Sequence, residues 1–128
     1  MVPVSAIGGG EAGEFTPVIS NKVDCDASCF RALYSRVGNI VTCSYYLSIG
    51  LDPGDNVGTF NLSLPIGSTF ANARDAFGVI TPITDPYSKL VSAIIAANIS
   101  LNELDIEIQL SAAGDSIAFV SNLQYIIL

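Results

Sequence analysis

From Leu104 to Leu110 every second residue is a large aliphatic (Leu104, Ile106, Ile108 and Leu110), and Asp105, Glu107 and Gln109 stand between them. Successive side chains of an extended chain point to opposite faces, whereas a helix would scatter these charges around its girth. The segment can therefore bury its aliphatics only as a β-strand with one wet face. Such a strand needs paired neighbours and a second layer to cover its dry side.

The rest of the chain follows the same rule. Phe60, Leu62 and Leu64 alternate with Thr59, Asn61 and Ser63, which predicts a strand with the first set inward. Asn39 to Ile49 is rich in Val, Ile, Thr and Tyr and ends at Gly50, and Ser116 to Ile127 reads as a last long strand. Further strands are expected at Phe15 to Ser20, Phe30 to Val37, Gly78 to Ile83 and Lys89 to Ala97. The last also fits helical spacing through Leu90, Ile94 and Ala97 but is read as a strand. Asp52-Pro53-Gly54-Asp55-Asn56 and Ala113-Gly114-Asp115 are turn sequences, each expected to close a hairpin. Seven or eight antiparallel strands in this arrangement predict an all-β fold, a two-sheet β-sandwich or jelly roll.

The opening residues carry Pro3, Gly8, Gly9, Gly10 and Gly13, a composition that resists regular structure. Residues 1–13 are expected to form a flexible N-terminal arm and residues 14–128 the sandwich domain. Val2, Val4 and Ile7 on the arm are candidate partner-binding residues, since apolar groups on a flexible segment can order against another protein. The arm has neither the basic nor the apolar region of a secretory signal, and the longest apolar run falls far short of the roughly 20 residues a membrane helix needs.

Half of the residues are hydrophobic and only 13% are charged, too few charges to coat a fully exposed monomer at the usual density. Some apolar surface is therefore expected to meet another protein, as a homo-oligomer or on a different chain. A net charge of −7 and the dispersed Lys22, Arg31, Arg36, Arg74 and Lys89 oppose nucleic-acid binding. After Lys89 the charged residues are all acidic.

Histidine is absent, which removes Ser-His-Asp and Cys-His chemistry and the commonest metal ligand. Three cysteines without histidine are too few for a closed zinc site. Cys25 and Cys29, in the loop-like run from Asp24, are candidates for a local disulfide, and Cys43 reads as a small buried hydrophobe. Asp105 and Glu107 share one strand face about 7 Å apart. Any amphipathic strand produces that spacing, so solvent exposure is preferred to glycosidase chemistry. The acidic loops Asp24 to Asp26 and Asp52 to Asp55 are a minimal start on calcium sites, but turn formation explains them. Asn61 and Asn98 head glycosylation sequons that matter only in a secreted eukaryotic protein. The triple glycine precedes no phosphate-binding element. No enzyme activity, metal or cofactor is expected. Tyr45 and Tyr46 are adjacent on a strand, so one must face away from the core and is a candidate surface contact.

The run Leu33-Tyr34-Ser35-Arg36-Val37-Gly38-Asn39-Ile40-Val41-Thr42, followed by Asp52-Pro53 and by Leu62-Ser63-Leu64-Pro65-Ile66-Gly67-Ser68-Thr69-Phe70, resembles a β-sandwich domain family of bacteriophage virion and tail-fibre proteins. That family carries a Y-x-R-V-G-N-x-V-T strand, a D-P turn, an S-L-P-I-x-S-x-F strand and a closing aromatic strand, here with Tyr125. Gly13-Glu14-Phe15-Thr16-Pro17 is similar to its G-x-[YF]-T-P opening, so the resemblance spans Gly13 to Ile127. It implies a non-catalytic structural domain of a virion, on a capsid, spike, fibre or other appendage, often as a homotrimer. The alternative expectation is a receptor- or glycan-binding head for host attachment, with exposed loops and tyrosines as its contacts.

Overall fold

The computed structural model describes residues 11–83 and 89–128. The alternating segment is strand β8 (Glu103–Leu110), with Leu104, Ile106, Ile108 and Leu110 fully buried, as the alternation requires. The other strands are β1 (Glu11–Phe15), β2 (Ile19–Val23), β3 (Cys25–Val37), β4 (Ile40–Leu51), β5 (Val57–Leu62), β6 (Ala76–Pro82), β7 (Leu90–Asn98) and β9 (Ser116–Ile126). They form two antiparallel sheets, sheet A in the order β1-β3-β4-β9-β6 and sheet B in the order β2-β5-β8-β7. The fold is an all-β sandwich, and the segment at 90–98 is a strand rather than a helix.

One core lies between the sheets. From sheet A come Val41, Cys43, Tyr45, Leu47 and Ile49 of β4 and Ile117, Phe119, Leu123 and Tyr125 of β9, and they meet Phe60, Leu62 and the β8 aliphatics of sheet B. Cys43 is buried among them. Strands β3 and β4 are a long hairpin closed by Gly38-Asn39. Gly38 has φ +60, the left-handed conformation that a primed two-residue turn requires at its first position. Strand β3 buries Cys25 and Ala27, then Ala32, because a register shift between Cys29 and Arg31 resets the alternation.

Several expectations are corrected. Residues 11–13, assigned to the arm, belong to β1, which pairs with β3 from Glu11↔Arg36 to Phe15↔Ala32. Backbone pairing to the edge of sheet A orders them in spite of Gly13. The strand expected from Phe15 to Ser20 is two strands, because Thr16-Pro17-Val18 breaks the ladder and carries the chain from sheet A to sheet B. Of the run Asp24 to Cys29, Cys25 to Cys29 is strand rather than loop and only Asp24 is a bend. Neither turn closes a hairpin, since residues 52–56 join β4 of sheet A to β5 of sheet B, and 111–115 join β8 of sheet B to β9 of sheet A. Both are arches across the end of the sandwich, tied together by Gly114 N–H donating to Asp55 C=O (3.0 Å) and Leu51 N–H to Asp115 C=O (2.9 Å).

At the opposite end, the irregular segment after β5 is held by buried polar groups. Tyr125 Oη donates to Ile66 C=O (2.6 Å) and accepts from Ile66 N–H (3.2 Å), while Ser68 Oγ donates to Ile126 C=O (2.8 Å). Tyr45 Oη donates to Ser63 C=O (3.0 Å). Burial raises both phenols well above the ordinary tyrosine range, so they stay protonated donors. The residues of the motif from Pro65 to Phe70 thus act in the fold by seating this segment on β9.

Candidate functional site

The two outer faces differ in chemistry. On sheet B, β8 turns Glu103, Asp105 and Glu107 outward. Asp105 accepts from Asn61 Nδ2 and from Asn98 Nδ2 (3.0 Å), and Asn61 Oδ1 accepts from Asn21 Nδ2 (2.9 Å). This row of amides crosses all four strands of the sheet. It also explains why Asn61, expected outward and solvated, is nearly buried. Thr59, Ile94, Asp105 and Glu107 line a shallow depression of about 390 Å³ there. Asp105 is engaged by two amides that hold the sheet together, so its arrangement is that of a cross-strand tie.

The outer face of sheet A is organised in rows across the strands. Tyr46 lies beside Val120 of β9, Ser44 beside Asn122, Thr42 beside Gln124 and Ile40 beside Ile126. Strand β6 extends the rows with Thr81 next to Val120, Val79 next to Asn122 and Phe77 next to Gln124. Ser44 Oγ donates to Asn122 Oδ1 (2.7 Å). Phe77 and Val79 are 60% and 63% exposed, and with Thr42, Asn122 and Gln124 they line a mainly apolar hollow of about 380 Å³. Strands β4, β6 and β9 contain no Asp, Glu, Lys or Arg.

Of the tyrosine pair, Tyr45 faces the core and is fully buried, so it is no surface contact. Tyr46 is the outward one, 38% exposed, and its ring meets the edge of Phe30 at 5.2 Å between centroids. Phe30 sits at the β3 register shift, which turns it outward; a two-residue period gives no sign of such a shift. Arg36 of the Y-x-R-V-G-N motif lies 3.6 Å from Glu11. Val2, Val4 and Ile7 lie outside the described residues.

The Cys25–Cys29 disulfide does not form, and all three cysteines are free. Cys25 pairs with Leu51 and Cys29 with Leu47 along one strand, roughly 13 Å apart at about 3.3 Å per residue, far beyond disulfide reach. Burial raises all three thiols, Cys43 to about 12. At pH 8 the Cys43 thiolate is then on the order of one molecule in ten thousand. With a thiol-exchange reagent at that pH, half-exposed Cys29 is expected to react first and Cys43 only on unfolding. Three thiols should be counted in denaturant, and a count of one would show that a bridge forms after all.

The fold also brings Asp24, of φ 59, to Asp52 and Asp55, with carboxylate oxygens within 4.8 Å of one another. Nothing in the sequence signalled this grouping, because Asp24 lies far from the other two along the chain. Asp24 and Asp52 are exposed and Asp55 is half-buried; the three supply fewer oxygens than the six to eight calcium takes, and no ion is assigned to them.

No protein-family model, curated protein or solved structure matches the chain.

Proposed function

We propose that the chain is a non-catalytic structural component of a bacteriophage particle, capsid-associated or part of a spike, fibre or decoration, held in place by protein–protein contact. The observation that carries this reading is the outer face of sheet A, where three adjacent strands lack charge while Phe77, Val79, Ile40 and Tyr46 are exposed. A face of that kind is matched to another protein surface rather than to a small polar substrate. The resemblance of residues 13–127 to virion β-sandwich domains supplies the setting, and residues 1–10, with Val2, Val4 and Ile7, add a second attachment element.

The test is incorporation into particles. Deleting residues 1–10, which leaves β1 intact, is expected to give a folded protein that incorporates poorly; unchanged incorporation would remove the arm from the proposal. A particle that assembles without the chain, in a host that makes both, would remove the virion assignment. The exposed Phe30–Tyr46 pair favours one second reading, a glycan- or receptor-binding head, since aromatic faces are platforms for sugars. Glycan-array binding that is lost in Tyr46→Ala would support it over the structural role.

A further inference from the structure

We infer that the outer face of sheet A docks a second copy of this chain, face to face about a two-fold axis that runs along the strands between β4 and β9. The inference rests on the proposed function only in taking this face as a protein-contact surface, and it names the partner.

Three observations carry it. The first is charge. The described carboxylates lie on β1, on β8, at the start of β3 and on the connections, and the outer face of sheet B is acidic. Two copies of a chain of net charge −7 repel each other wherever those groups face. The face built on β4, β9 and β6 is where two copies approach without opposing carboxylates.

The second is the pattern of the rows. An axis along the strands between β4 and β9 lays β4 of one copy over β9 of the other and β3 over β6, so each row meets itself. Tyr46 then faces Val120 of the partner copy, Ile40 faces Ile126, Ser44 faces Asn122, Thr42 faces Gln124, and Leu33 of β3 faces Val79 of β6. Between β4 and β9 apolar residues meet apolar ones and hydroxyls meet amides, the self-complementarity an isologous interface requires, while at the flanks Arg31 faces Thr81 and Ser35 faces Phe77. An axis across the strands would set unlike rows against each other.

The third is size. With strands about 4.8 Å apart, β4 and β9 overlapping over about eleven residues and β3 and β6 over about seven, the face presents roughly 570 Å². That is of the same order as the roughly 800 Å² per partner of a stable interface. The aligned arrangement is also the one in which two twisted sheets pack face to face.

The test is sedimentation of the full chain from low to high micromolar concentration. Wild type is expected to move to twice the 13.4 kDa chain mass. Ser44→Glu and Val79→Glu, both on this face, should raise the dissociation midpoint at least tenfold, while Ile94→Glu, on the outer face of sheet B, leaves it unchanged. Circular dichroism of each variant verifies the fold. Wild type monomeric throughout, a three-fold mass, or association indifferent to Ser44→Glu and Val79→Glu would each overturn the inference. So would a full chain that stays monomeric and pairs only after deletion of residues 1–10, because the arm would then cover the face. Particle incorporation is read separately. A monomer that loses incorporation on Val79→Glu sinks the pairing and leaves the structural role standing, and a dimer found in no particle does the reverse.

Discussion

Tyr125→Ala is expected to lower stability by about 3–5 kcal/mol, the usual range for emptying a large aromatic site in a core. Tyr125 is fully buried near the end of β9, packs edge-on against Phe70 at 5.9 Å and holds both backbone groups of Ile66 through its hydroxyl. Tyr125→Phe separates the two contributions. It keeps the ring but leaves Ile66 N–H and C=O without that partner, and should cost about 1–3 kcal/mol. Urea denaturation measures both, and Tyr125→Phe should also speed hydrogen exchange in residues 64–70. A phenylalanine variant as stable as wild type would show that water replaces the phenol there.

Gly78→Val should be nearly as damaging although residue 78 is exposed. A Cβ at that position would stand 2.3 Å from the backbone oxygen of Asn122 and 2.6 Å from Leu123 Cα, and backbone cannot rotate away as a side chain does. Relief requires β6 to lift from β9, so a loss of about 3 kcal/mol is expected, at the upper end of overpacking costs. Amide exchange should localise the damage to residues 76–82. Uniform destabilisation without faster exchange in β6 would contradict this account. Because Phe77 and Val79 ride on β6, the same substitution should also weaken association through the outer face of sheet A.

The sequence disclosed what depends on local period. Strand β8 was legible because charges interrupt its aliphatics at every second place, and the burial of Leu104, Ile106, Ile108 and Leu110 follows. The hidden features depend on which strands meet. Asp52 to Asn56 has unmistakable turn chemistry, yet turn chemistry reverses a chain without saying whether the flanking strands pair, and here they enter different sheets. Strand β3 begins with Cys25, Ala27 and Cys29 inward, residues too small to signal a buried face, so its first turn's length of chain read as loop. That Tyr45 and Tyr46 oppose each other was fixed by strand geometry. Which one enters the core follows the alternation of β4 itself, where Tyr45 is in step with the buried Val41, Cys43, Leu47 and Ile49 and Tyr46 with Thr42, Ser44 and Ser48. The absence of charge on β4, β6 and β9 was present in the sequence, but only their adjacency turns three separate neutral runs into one continuous surface.

Strand β9 is the last of the nine strands among the described residues and sits between β4 and β6 inside sheet A. The sheet therefore cannot close during synthesis until residues near 126 have emerged. A ribosome adding about 5–20 residues per second takes roughly 4–15 s to travel from Leu51 to Ile126. Throughout that interval the β3–β4 hairpin offers β4 as a long, uncharged open edge, with none of the lysines, prolines or inward charges that discourage stray pairing. The neutrality that suits a mature contact surface thus exposes the nascent chain to mispairing with its neighbours on the same messenger, and yield in the cell should depend on translation speed and chaperone supply more steeply than the stability of the finished sandwich would imply.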